Sequence, residues 1–138
     1  MKKDFIHFES TQQLSEILPL VQDAGDREIL VFDVWQNPVG TISSFEIIEL
    51  CLNGGGEKTV SDATFPIENV LIEEQTLQDA LLLFQQSNAK TLPVMRQSEL
   101  IGILELNQIY TIHQVLNKSG KQKSSIFNGI KKWTNGKD

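Results

Sequence analysis

Residues 91–104 read Thr91-Leu-Pro-Val-Met-Arg-Gln-Ser-Glu-Leu-Ile-Gly-Ile-Leu104. Two short apolar runs, Thr91–Met95 and Leu100–Leu104, flank the turn residues Gln97-Ser98, which is the pattern of a β-hairpin. Residues 28–42 repeat it. Glu28–Val34 is a strand rich in Ile, Leu, Val and Phe, Gln36-Asn37-Pro38 supplies turn chemistry, and Val39–Ile42 is the returning strand. Val31 and Val94 correspond at an offset of 63, whereas Gly40 and Gly102, or Ile42 and Leu104, correspond at 62. The one-residue change falls in the turn, where chain length varies most easily.

The repeat extends outward from both hairpins. Before the first, Leu14, Ile17, Leu18 and Val21 recur at helical spacing, predicting a helix over residues 12–24 with Ser10 or Thr11 as N-cap and Gly25 as its stop. Before the second, Thr76 caps a helix carrying Leu77, Ala80, Leu81, Leu83 and Phe84, and Asn88 stops it. Leu14 with Leu77, Leu20 with Leu83 and Gln22 with Gln85 keep the offset of 63. Short strands at Phe5–Phe8 and Val70–Ile72 precede these helices. A further helix follows each hairpin, from Ser43 or Ser44 to about Leu52 and from Leu106 to Leu116, with Ile47 matching Ile109. Each unit is therefore β-α-β-β-α. One unit alone leaves an apolar sheet face open, so the expected fold is α/β (α+β): two such repeats packed through their sheets with pseudo-twofold symmetry. The expected boundaries are a first repeat over 1–52, truncated at its start, a Gly-rich linker over 53–59, a second repeat over 60–117 and a basic tail over 118–138.

Composition narrows the function. At 138 residues the chain fits one domain or two small units sharing a core. A 40% hydrophobic and 22% charged content argues against wholesale disorder. The net charge of −6 is unevenly placed: residues 1–117 hold six basic and seventeen acidic groups, and residues 118–138 hold six lysines against Asp138 alone. An acidic body repels phosphate, so no nucleic-acid partner is expected. Cys51 has no partner for an internal disulfide and reads as a small apolar residue. No apolar run approaches the roughly 18 residues of a membrane span, and Met1-Lys-Lys-Asp-Phe-Ile-His-Phe-Glu9 lacks the apolar stretch of a signal peptide, so the expected location is cytoplasmic. His7 and His113 stand in different segments with no cysteine or carboxylate at ligand spacing, and G-x-S-x-G and H-E-x-x-H are absent. The chain is not expected to be an enzyme, nor to hold a metal. Gly54-Gly-Gly-Glu-Lys-Thr59 resembles a phosphate loop, but Glu57 separates Gly56 from Lys58 and the run follows a helix rather than a strand, so it reads as a hinge.

With these residues in place the chain resembles the tandem CBS-domain pair, or Bateman module. Val60-Ser-Asp-Ala-Thr-Phe-Pro66 is similar to the lead-in of a CBS domain, Thr76-Leu-Gln-Asp-Ala-Leu-Leu-Leu-Phe84 to its first helix, and Leu92-Pro-Val94 with Leu100-Ile-Gly-Ile-Leu104 to its hairpin. Glu28-Ile-Leu-Val-Phe-Asp33 and Pro38-Val-Gly-Thr-Ile-Ser43 resemble the matching hairpin of the other repeat. The resemblance covers roughly residues 5–117. It implies a regulatory module that binds an adenine nucleotide or related ligand in the cleft between repeats and forms a homodimer through its helices. With no effector domain attached, the output would act in trans.

The family's nucleotide signature, G-h-h-[ST]-x-x-D, guides the choice of site residues. A hydroxyl and helix N-terminal amides hold a phosphate, and the carboxylate accepts from the ribose hydroxyls. Gly40-Thr-Ile-Ser-Ser-Phe-Glu46 keeps the hydroxyl at Ser43 and has Glu46 in place of Asp. Gly102-Ile-Leu-Glu-Leu-Asn-Gln108 has Glu105 and Gln108 instead, so the second site reads as degenerate for nucleotides and suited to an uncharged or cationic ligand such as a nucleoside. Thr64, Lys90 and Pro93 complete the implied ligand-binding set. Plainer roles stand beside these: Ser43 and Ser44 as N-caps, Glu46 and Glu105 as anions favoured at a helix N-terminus, and Thr64 as the end of a turn.

The tail carries its own pattern. Residues 117–125 are polar and lysine-rich, and Ile126, Phe127, Ile130 and Trp133 then follow helical spacing. This predicts a short basic amphipathic helix, docked on the acidic body or presented to a protein partner, the other protomer or an anionic membrane over residues 125–134. The expected function is regulatory ligand sensing with no resident cofactor. The alternative is a ligand-free interaction or dimerisation module using the tail helix.

Overall fold

Alternation fixes the first hairpin. In β4 (Pro38–Ser43), Gly40 and Ile42 turn inward, while β3 (Glu28–Phe32) is apolar from Ile29 onward and buried on both faces, as a central strand should be. In the computed structural model the described residues are 2–3, 5–109 and 131–134. They divide into two compact units, Ile6–Glu68 and Asn69 onward together with the first five residues.

In the first unit, β2 (His7–Glu9) runs parallel to β3, with Phe8 beside Val31, and β3 pairs antiparallel with β4, with Val31 beside Gly40. β5 (Phe65–Pro66) adds to β4, giving the order β2-β3-β4-β5. Helices α1 (Leu14–Val21) and α2 (Ser44–Leu52) cover the sheet through Leu14, Ile17, Val21 and Ile47, which join Phe8, Ile29, Val31, Ile42, Val60 and Ala63 in one core. Pro19 lies inside α1 on its exposed side, so the carbonyl it leaves without a helical donor faces solvent.

Three local expectations differ from the structure. The N-cap of α1 is Gln13, not Ser10 or Thr11, and its side chain makes no capping bond. The amides of Leu14 and Ser15 donate instead to the carbonyls of Lys58 and Gly56, at 2.8 and 2.9 Å. The Gly-rich run at 53–59 is therefore not a linker between repeats. It closes α2 with Gly54 at a φ of 84°, where Gly54 and Gly55 donate to Cys51 and Leu50, and then caps α1. Residues 60–66, expected to begin the second repeat, also stay with the first unit: Val60 and Ala63 are in its core and β5 is its edge strand. The boundary falls between Glu68 and Asn69.

The second unit repeats this plan. β6 (Leu71–Ile72) runs parallel to β7 (Thr91–Arg96), with Leu71 beside Val94, and β7 pairs antiparallel with β8 (Glu99–Glu105), with Val94 beside Gly102. α3 (Leu77–Ser87) ends at Asn88, whose φ of 59° is the left-handed stop expected there. Residues 106–109 are helical, and the remainder of the expected 106–116 helix lies outside the described residues. Leu71, Leu77, Ala80, Phe84, Leu92, Val94, Leu104 and Ile109 form the core. The internal repeat reaches single hydrogen bonds. Gln12 Oε1 accepts from the Glu9 amide and Gln75 Oε1 from the Ile72 amide, both at 2.9 Å.

The tail departs from its expected helix. Lys131–Thr134 is a strand, β9, paired with β8 through Gly102 and Ile103. Outside it, β1 (Lys2–Lys3) pairs with β9, giving the order β1-β9-β8-β7-β6. β8 has an open edge at Gly102–Ile103, as β4 has at Gly40–Thr41, and a strand from downstream satisfies each. Trp133 and Thr134 also favour strand. The rest of the expected tail helix, residues 125–130, lies outside the described residues.

Candidate functional site

The first turn of α2 is where the sequence-derived residues of the first unit gather. Ser43 ends β4 and is the N-cap residue of α2, with extended backbone at φ −85° and ψ 136°. Ser44, next to it, is fully buried and committed to structure: its hydroxyl donates to the Gly25 carbonyl and accepts from the Arg27 amide, and its own amide donates to the Arg27 carbonyl at 2.8 Å. Ser43 has no such duty. Its hydroxyl makes no capping bond, and neither it nor the Glu46 carboxylate has a hydrogen-bond or ion-pair partner among the described residues. Both are half-buried.

That openness is informative because the same spacing closes elsewhere. Thr76 and Asp79 form a complete capping box, amide to carboxylate at 3.1 Å and amide to hydroxyl at 3.2 Å. The Asp62 carboxylate reaches back to the amide and hydroxyl of Thr59, at 3.0 and 3.1 Å. Ser43-Ser-Phe-Glu46 has the same S/T-x-x-acid spacing, yet its hydroxyl and carboxylate are left unjoined. A helix N-terminus with a free hydroxyl and a free carboxylate one turn apart can offer donors to an anion and an acceptor to a diol.

Thr64 is close to this turn but differently employed. Its hydroxyl donates to the Val60 carbonyl at 2.7 Å, closing the short 3-10 turn Val60–Ala63, and its methyl lies against Gly40. Three second-unit residues converge at the corresponding place. The Lys90 carbonyl accepts the Leu106 amide at 2.9 Å, Glu105 is the last residue of β8, and half-buried Gln108 follows on the helical residues 106–109. Lys90 is exposed, and Glu105 is only 9% exposed. Pro93 is buried in β7 opposite Ile103, further into the sheet. The structure thus gathers Ser43 and Glu46 in one unit and Lys90, Glu105 and Gln108 in the other.

Two residues beside Ser43 escaped the sequence reading. Arg27 carries the carbonyl that holds α2 in place, and Glu28 is the register partner of Ser43. The offset of 63 pointed to Arg27, which corresponds to Lys90, whereas Glu28 corresponds to Thr91, outside the expected set. Among the described residues no group of three or more His, Cys, Asp or Glu side chains could hold a metal ion, and no helix is long and apolar enough to cross a membrane.

No protein-family model and no curated protein matches the chain. Solved structures do. A Vibrio cholerae protein named for acetoin utilization (AcuB) is 16% identical with a TM-score of 0.71, over 87% of this chain and 90% of that one. The CBS-pair protein CBSX2 of Arabidopsis thaliana is 20% identical with a TM-score of 0.70, over 83% and 89%. CBSX2 in complex with AMP is 22% identical with a TM-score of 0.68, over 81% and 89%. The chain has the fold of a CBS-domain pair.

Proposed function

We propose that this CBS-pair chain is a regulatory ligand-sensing module whose first repeat binds an adenine nucleotide or nucleoside at the start of α2. The observation that carries the reading is the open pair Ser43 and Glu46. Two capping boxes in the same chain show that this spacing readily closes on itself. A ligand that accepts from the Ser43 hydroxyl and the α2 amides, and donates ribose hydroxyls to Glu46, would satisfy both groups. The complex of CBSX2 with AMP makes adenine nucleotides the first ligands to test. Sensing then follows from linkage, because a ligand bound to the folded state stabilises it by about 2.7 kcal/mol at a hundred times its Kd.

The test is calorimetric and thermal-shift titration of the full chain with adenosine, AMP, ADP and ATP. At least one should raise the melting temperature saturably. Ser43→Ala removes one hydrogen bond to a charged or polar ligand group, a loss of about 1.5–3 kcal/mol for a charged acceptor, so affinity should fall at least tenfold. Glu46→Gln should weaken adenosine as well as the nucleotides, since every one of them carries the ribose. No stabilisation by any of the four at millimolar concentration would defeat the reading.

A further inference from the structure

The two ends of the chain meet in one sheet. β1 is its outer strand, and β9 lies between β1 and β8. Lys3 is the register partner of Trp133 and Lys2 that of Thr134. Lys131 and Lys132 stand two positions along from those partners, in diagonal register with Lys3 and Lys2. Ordinary sheet spacing puts such diagonal neighbours about 7–8 Å apart. Four lysines from opposite ends of the sequence thus share two adjacent strands. Lysine on an edge strand discourages pairing with another chain, which accounts for β1. β9 is an inner strand, paired with β8 at Lys131 and Lys132 and with β1 at Trp133 and Thr134, so edge protection does not by itself call for a second lysine pair. Like charges in neighbouring strands repel, and these lie within the Debye length of about 8 Å at physiological salt.

We infer that the β1–β9 edge is a docking surface for an anionic phospholipid membrane. The charge of the chain is divided to suit it. Residues 1–8 and 110–138 hold eight lysines against Asp4 and Asp138, whereas residues 9–109 hold four basic groups against sixteen acidic ones. Attraction to a negative surface is therefore confined to the two ends, and their pairing concentrates it on one edge of one sheet. The chemistry of the ends favours lipid over nucleic acid. All eight cations are lysine and none is arginine, the residue suited to bidentate phosphate and nucleic-acid recognition. The acidic residues 9–109 also repel a long polyanion. Trp133 stands among the lysines of the edge, and Ile126, Phe127 and Ile130 precede it in the sequence. Lysine beside tryptophan and aliphatic residues is the composition of segments that rest in the headgroup region. The inference goes beyond ligand sensing and is independent of Ser43 and Glu46.

Flotation of the full chain with vesicles decides the matter. Phosphatidylcholine vesicles containing about one-third phosphatidylglycerol should carry the chain upward, and pure phosphatidylcholine should not. Binding should fall steeply between about 0.1 and 0.5 M salt, as the charges are screened. Lys2→Gln with Lys3→Gln, and separately Lys131→Gln with Lys132→Gln, should each weaken it about thirtyfold, from roughly fivefold per lysine. Arginine at the same four positions keeps the charge and should bind as the wild type does. Circular dichroism and thermal melting report whether each variant is folded, and should one glutamine pair unfold the chain, the other decides by itself. Equal binding to neutral vesicles, binding unmoved by salt, or undiminished binding by a folded Lys2→Gln, Lys3→Gln chain would overturn the inference. So would retention of a duplex oligonucleotide, or salt-sensitive self-association in sedimentation, without vesicle binding: the first would assign the edge to nucleic acid, the second to another copy of the chain. Adenine-nucleotide titration reads a different site, so failure here leaves the ligand-sensing reading standing, and the converse holds.

Discussion

Gly40 is where the sheet and the candidate site share one residue. A Cβ at this position would run into the methyl of Thr64 and the carbonyl of Phe65, because β5 crosses β4 there. Gly40→Ala should therefore destabilise the first unit by about 1–3 kcal/mol, the range for overpacking a closed contact, as read from denaturant unfolding. A variant within 0.5 kcal/mol of the wild type would show that β5 does not hold this position. Arg96 and Glu73 make a second residue-scale test. The guanidinium meets the carboxylate with two bonds, at 2.7 and 2.8 Å, joining the end of β7 to the turn after β6. That hydrogen-bonded partner holds the Glu73 carboxyl below the ordinary glutamate value of 4.5, against a smaller opposing effect of burial. The folded pKa is depressed, so the stabilisation is present above the unfolded value and is lost as pH falls through the folded one. Arg96→Met should cost stability at pH 7, modestly because the pair is exposed, and the difference from the wild type should close once acid has protonated Glu73. A difference that persists unchanged into strong acid would assign the effect to packing of the arginine stem.

At the scale of elements, helix starts separate architecture from function. Thr76 supplies the N-cap hydroxyl of α3, so Thr76→Ala should cost about 1 kcal/mol in thermal or denaturant unfolding. Ser43 stands at the same position of α2 without making that bond, so Ser43→Ala should change stability by less than 0.5 kcal/mol without ligand and show its effect in titration. Equal stability losses for the two substitutions would mean that Ser43 caps α2 in solution. Much of this level was legible in the sequence. The capping box at Thr76, the left-handed Asn88 and the hairpins all follow from residues within a few positions of one another. The start of α1 was not legible, because its amides are met by the carbonyls of Gly56 and Lys58, more than forty residues downstream. Backbone carbonyls belong to every residue type, so no side-chain pattern announces such a cap. The candidate site was half legible: the motif located Ser43 and Glu46, but only the hydrogen bonds showed that Ser44 is spent on structure.

Across the whole chain, the charge split takes on a structural meaning. The basic tail looked separate from the repeat, yet β9 lies against Gly102–Ile103 as β5 lies against Gly40–Thr41. Each unit thus closes with a strand returning to the second arm of its hairpin. The helical spacing of Ile126, Phe127, Ile130 and Trp133 hid this, because the edge that Lys131–Thr134 completes is nearly thirty residues upstream and sequence periodicity carries no record of pairing at that distance. β1 in turn pairs with β9, so both ends of the chain depend on one strand. A chain ending at residue 130 should then lose more than its tail. The β8 edge would be bared and Lys2–Lys3 would lose their ladder partner, with a stability loss of about 2–3 kcal/mol if two to three ladder bonds each contribute roughly 1 kcal/mol net. Hydrogen exchange read by mass spectrometry should show faster exchange in peptides covering Gly102–Ile103 and the N-terminal residues, and unchanged exchange across β3 and β4. Full protection of the β8 edge in the shortened chain would show that residues 131–134 are dispensable to the second sheet and return the tail to the role of a separate appendage.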